Sequence, residues 1–207
     1  MGMKTLNESV LGRRAVFTTV LLAAALTPVV ASAHPGFPGH THGFINGVMH
    51  PLSGLDHLLA MTAVGLWAAQ QGGKALWRIP LAFLSAMVLG GIVGMIGLGQ
   101  FPMIDQGIAA TVFVMGILIA TTNRLSVGAG AVLAGLFALF HGYAHGAEMP
   151  ATASGLFYGA GFVLATAALQ LLGISMGLLA RKTNSMRLVR IGGCAIAVCG
   201  IYLVFAR

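Results

Sequence analysis

Charge is what this chain has least of. Only 7% of its 207 residues are Asp, Glu, Lys or Arg, against about 25% in a soluble globular domain, and the mean hydropathy is +0.92. That balance excludes a water-soluble fold. Acidic residues number four, and three of them, Asp56, Asp105 and Glu148, lie inside or at the ends of long apolar segments. Cysteine is nearly absent. Cys194 and Cys199 sit five apart in the last apolar segment and share no helix face, so neither a disulfide framework nor a thiolate metal site has support. No Gly-x4-Gly-Lys-[Ser/Thr] phosphate loop occurs, which excludes ATP hydrolysis by this chain. The net charge of +7 would suit nucleic acid, but the basic residues fall in short stretches between apolar runs, where they set membrane orientation instead.

What is present is a succession of apolar runs of membrane-spanning length. They predict an all-α membrane protein, a bundle of six transmembrane helices over Pro51–Gln70, Ile79–Leu98, Ile104–Thr121, Ser126–Tyr143, Thr152–Leu179 and Leu188–Phe205. Residues 1–33 read as a cleaved signal peptide: Arg13 and Arg14, an apolar stretch from Ala15 to Leu26, then Ala31-Ser32-Ala33. The alternative is a retained first helix. Residues 34–50 form a His/Pro/Gly-rich extracytoplasmic segment, and 51–207 form the transmembrane domain. With the mature N-terminus outside, the loops bearing Lys74 and Arg78, Arg124, and Arg181 to Arg190 are cytoplasmic, in agreement with the positive-inside rule. Glycines at Gly90, Gly91, Gly94 and Gly97, and at Gly155 and Gly159, suit close helix packing.

The polar residues gather in two clusters on the outer side. His141, His145 and Glu148 are spaced four and three apart, so a helix would carry all three on one face. Imidazole and carboxylate together suit borderline divalent ions such as Ni²⁺, Co²⁺ and Zn²⁺, and an ionisable group in lipid is rarely there without a function. The competing reading is a hydrogen-bonded core pair of histidines. In the other cluster, His50 precedes Pro51, a residue suited to a first helical turn, and Asp56-His57 follow. Asp56 either completes a capping box with Ser53 or orients an imidazole. Met61 shares a face with His57 and reads as core. His34, His40 and His42 lie in a short tract of metal-binding composition that reads equally well as a linker. The segment from His42 to Gly47 is similar to that from His141 to Gly146, either an internal repeat or chance.

His50-Pro-Leu-Ser-Gly-Leu-Asp56-His57-Leu-Leu-Ala-Met61 and Phe140-His141-Gly-Tyr-Ala-His145-Gly-Ala-Glu148 resemble the two signature motifs of the HupE/UreJ family. The leader followed by His-Pro-Gly is similar as well. The resemblance implies a small bacterial inner-membrane protein linked to nickel or cobalt enzyme maturation, such as hydrogenase or urease, and acting as a nickel or cobalt permease. It implies that His50, Asp56, His57, His141, His145 and Glu148 handle the metal. The first motif is similar to the His-x4-Asp-His motif of a separate nickel/cobalt transporter family, with one more intervening residue.

The sequence thus points to a permease without a permanently bound cofactor, whose partners are a transported divalent ion and the lipid bilayer, with capture at His34, His40 and His42. Two other readings use the same residues: an intramembrane zinc hydrolase with Glu148 or Asp56 as general base, and a metal sensor or chaperone that does not translocate.

Overall fold

A computed structural model describes residues 42–97, 103–149 and 154–206. Helices account for nearly all of them, and no strand occurs among the described residues. In chain order these are α1 (His42–Ser53), α2 (Leu55–Gln71), α3 (Ala75–Met95), α4 (Ile104–Thr121), α5 (Val127–Ala147), α6 (Gly155–Lys182) and α7 (Met186–Phe205). The helices α3 to α7 are each long and apolar enough to cross a membrane, and α1 with α2 passes the same test only as a pair bent by 82°, a broken span or a re-entrant loop. This is a multi-pass membrane protein. Lipid offers no hydrogen-bond partners, so the backbone satisfies itself within helices.

The last five expected spans match α3 to α7 within a few residues at each end. The first requires correction. Pro51 does not open a helix; it lies inside α1, and the break falls at Gly54, whose backbone is extended (φ −97°, ψ 123°). An added Cβ at Gly54 would lie 2.7 Å from Asp56 Oδ1 and from His57 Nδ1, so only glycine lets the chain turn this close to those side chains. The signal segment 1–33 and the tract holding His34 and His40 lie outside the described residues. The two similar hexapeptides do not form a structural repeat: one opens α1 and the other closes α5.

Glycines bring certain helices into backbone contact and divide the bundle into three units. In α3–α5, a Cβ at Gly90 or Gly94 would strike the carbonyls of Leu139 or Tyr143, and one at Gly142 or Gly146 those of Met87 or Gly91. In α1–α2–α6, Gly65 and Gly173 meet the carbonyls of Gln170 and Thr62, and Gly47 and Gly161 those of Tyr158 and Phe44. In α4–α7, Gly116, Gly193 and Gly200 play the same part. Such contacts let helices associate in lipid, where the hydrophobic effect cannot drive them together. Between units the glycines face side chains, as Gly107 does Phe140 and Gly130 does Trp67. Gly159 has nothing near it and serves no packing role of this kind.

Charge separates along the bundle. Every described Lys and Arg lies at the end where α2, α4 and α6 finish, and Asp56, Asp105 and Glu148 lie at the other. The basic end is fastened by side chains that donate to carbonyls at or near helix ends: Gln70 Nε2 to Ile119 O (3.1 Å), Gln71 Nε2 to Asn123 O (2.9 Å), Arg181 Nη1 to Ala69 O (3.3 Å) and Arg190 Nε to Ala120 O (2.9 Å). Helix C-termini leave carbonyls in need of such donors.

Candidate metal centre

At the acidic end, the bend at Gly54 turns α1 across the top of α2 and sets His50 above His57. On α5 the spacing of His141 and His145 puts both on the face that meets α2. The two clusters, separated by some eighty residues of chain, come together. Ring centroids are 4.4 Å apart for His57 and His145, 4.6 Å for His50 and His145, and 5.5 Å for His57 and His141. Nitrogen atoms of His50 and His145 and a carboxylate oxygen of Glu148 all fall within 4.8 Å of one another, a separation one ion can bridge. His50 Nε2 is 3.7 Å from Glu148 Oε2.

The helix beginning resolves the two readings of Asp56. The cap of α2 is Gly54, without a side-chain cap bond, and Ser53 Oγ donates to His50 O at 2.8 Å instead. The capping box does not form. Asp56 Oδ1 accepts from the backbone N–H of His57 at 2.8 Å and lies 2.5 Å from His57 Nδ1. A carboxylate in that place fixes the imidazole with its proton on Nδ1 and its lone pair on Nε2, the arrangement found around metal-binding histidines. His141 is oriented in a similar manner by Phe137 O, 3.0 Å from Nδ1. His57 Nε2 and both ring nitrogens of His145 are buried and have no hydrogen-bond partner among the described residues. Buried polar atoms normally find partners, so these nitrogens need an ion or water to complete them.

Exposure falls along the group. The side chains of Glu148 and His50 are 56% and 32% exposed, whereas His145 and His141 are 3% and 0% exposed. Glu148 caps the C-terminus of α5 at the rim, and the histidines lead inward from it. A cavity of about 320 Å³ opens here, lined by His50, Asp56, His57, His145, Glu148 and also Asp105 from the first turn of α4. Three carboxylates around one cavity produce a field that favours cations. Asp105 is a scarce acid in an apolar chain but carries no motif. Its signal in the sequence was its position at an outer helix start, at the depth of both clusters. Phe162, with its ring centroid 4.2 Å from that of His145, floors the group and was likewise not apparent. His42 is the first residue of α1.

Comparison with known proteins gives the family of the chain. No solved structure matches the chain. Protein HupE of Rhizobium leguminosarum bv. viciae is 41% identical over 186 residues, covering 90% of this chain and 96% of the relative. The family model described as HupE / UreJ protein matches residues 22–203, which include every residue of the centre, and the chain therefore belongs to the HupE/UreJ family.

Proposed function

We propose that the protein is a permease that imports Ni²⁺ or Co²⁺ across a bacterial inner membrane to supply metalloenzyme maturation. The observation that carries this reading is the meeting of His50, His57 and His145 with Glu148 at the acidic end of a bundle that is otherwise apolar. The acidic end faces outward, since the basic end obeys the positive-inside rule. The signal peptide is removed, and His34, His40 and His42 raise the local supply of metal. Glu148 and His50 take the ion at the rim, exchanging part of its water shell for carboxylate and imidazole. His145, His57 and His141 then draw it inward, with Asp56 holding His57 in the binding tautomer. Imidazole and carboxylate donors suit nickel and cobalt, and would also accept zinc.

Purified protein in sealed vesicles, presented with labelled Ni²⁺ or Co²⁺, tests this. Wild type should accumulate metal in the lumen, and His145→Ala should not, at equal protein content. Metal bound tightly and stoichiometrically after dialysis, with no accumulation, would instead favour the zinc hydrolase or the sensor.

A further inference from the structure

The outer centre accounts for entry but not for passage through the apolar interior. One helical turn inward from the centre, the hydroxyl of Thr166 lies 3.3 Å from Met61 Sδ and 3.7 Å from Met87 Sδ. All three residues are essentially inaccessible, at 0%, 0% and 2% exposure. One turn further along the same face of α6 is Gln170, 1% exposed, and neither its amide nitrogen nor its oxygen has a hydrogen-bond partner among the described residues. A carboxamide offers two donors and two acceptor sites. Leaving all of them unused in the middle of a membrane bundle calls for a transient occupant. The neighbouring helix is held close here, because Gly65 brings α2 against the backbone carbonyl of Gln170.

The row is continuous with the centre on two helices. On α2, Met61 follows His57 by four residues; on α6, Thr166 and Gln170 follow Phe162, whose ring touches His145, by four and eight. At a rise of about 1.5 Å per residue these steps are roughly 6 and 12 Å inward. Two of the three glycine-sealed units supply the donors: Met61, Thr166 and Gln170 from α1–α2–α6, and Met87 from α3–α5.

We infer that Met61, Met87, Thr166 and Gln170 form a second, inner station for the transported divalent cation, resting on the permease reading above. Its donors are two thioether sulfurs, a hydroxyl oxygen and a carboxamide oxygen. All are neutral, so the ion is held more weakly than by the imidazoles and carboxylates outside it. A weak neutral station is what conduction requires after a strong one, since an ion bound tightly in the interior would not leave. Two of the four donors are thioether sulfurs, which suit Mg²⁺ and Ca²⁺ poorly, so the station also discriminates against the abundant hard cations.

The test uses full-length protein in vesicles with Ni²⁺ alone, measuring both the entry rate and the equilibrium affinity of the outer centre. Thr166→Val and Gln170→Leu should each lower the entry rate at least tenfold and leave outer affinity within twofold of wild type. Thr166→Ser, which keeps the hydroxyl, should restore most of the rate. Met61→Leu, close in volume to the native residue, should slow entry without loss of folded protein. Entry within twofold of wild type in Thr166→Val and Gln170→Leu, while His145→Ala abolishes it, would overturn the inner station and leave the outer centre standing. Normal entry in His145→Ala would overturn both. Loss of outer affinity in Thr166→Val and Gln170→Leu alike would also overturn the station, since these residues would then act through the outer centre.

Discussion

The imidazoles of His50 and His145 meet edge to face, 4.6 Å between centroids, across the gap between α1 and α5. Neither helix carries both, so a shared ion would couple them. Alanine at either position should weaken Ni²⁺ binding strongly, and the double variant should be less impaired than the two losses summed. The shortfall is expected at about 0.5–3 kcal/mol, the range for residues acting in one network. Titration calorimetry on the four proteins measures it; strict additivity would place the two rings in separate sites.

Asp56→Asn isolates the orienting role of the carboxylate. It keeps the shape of the side chain, and α2 does not depend on Asp56 and Ser53 for a capping box. Affinity for Ni²⁺ should fall roughly 10- to 100-fold, as for other partners of ligating histidines, with membrane abundance near normal. Ser53→Ala should leave affinity unchanged. An equal loss in both variants would return Asp56 to a structural role at the helix start.

Gly142→Ala should damage the fold rather than the chemistry. Its Cβ would collide with the backbone carbonyl of Met87, which cannot turn aside as a side chain would. Overpacking of this kind costs about 1–3 kcal/mol. Thermal unfolding in detergent should show a clear loss for Gly142→Ala and none for Gly159→Ala, where space is open.

Topology can be read by thiol labelling in a background with Cys194 and Cys199 replaced. Gln71→Cys and Thr183→Cys, at the basic end, should resist an impermeant reagent in intact cells, whereas Gln100→Cys should react. Labelling of the first two would invert the orientation and place the acidic cavity in the cytoplasm.

Much of this arrangement could be read from the chain because membrane helices obey few rules. Long apolar runs with basic flanks gave α3 to α7, and the four-residue step from His141 to His145 gave the shared face on α5. The bend was not legible. His50-Pro51 reads locally as a helix start, since proline suits a first turn, yet both lie inside α1, which Gly47 and Gly161 let pack on α6. That is a long-range contact with no local trace. Asp105 stands out in the sequence as a scarce acid at an outer helix start, but its place in the cavity depends on where α4 sits beside α2. Thr166 and Gln170 look like ordinary small and polar residues until both of their neighbours are known.

Each of the three glycine-sealed units contributes one carboxylate to the outer cavity: Asp56 from α1–α2–α6, Glu148 from α3–α5 and Asp105 from α4–α7. Inside a unit the backbones touch and cannot slide; between units only side chains intervene. Three like charges on three separate bodies repel one another, and they do so most strongly when no cation lies among them. On the permease reading, a divalent ion among them would offset that repulsion, and the outer ends of the three bodies should lie closer together with an ion than without one.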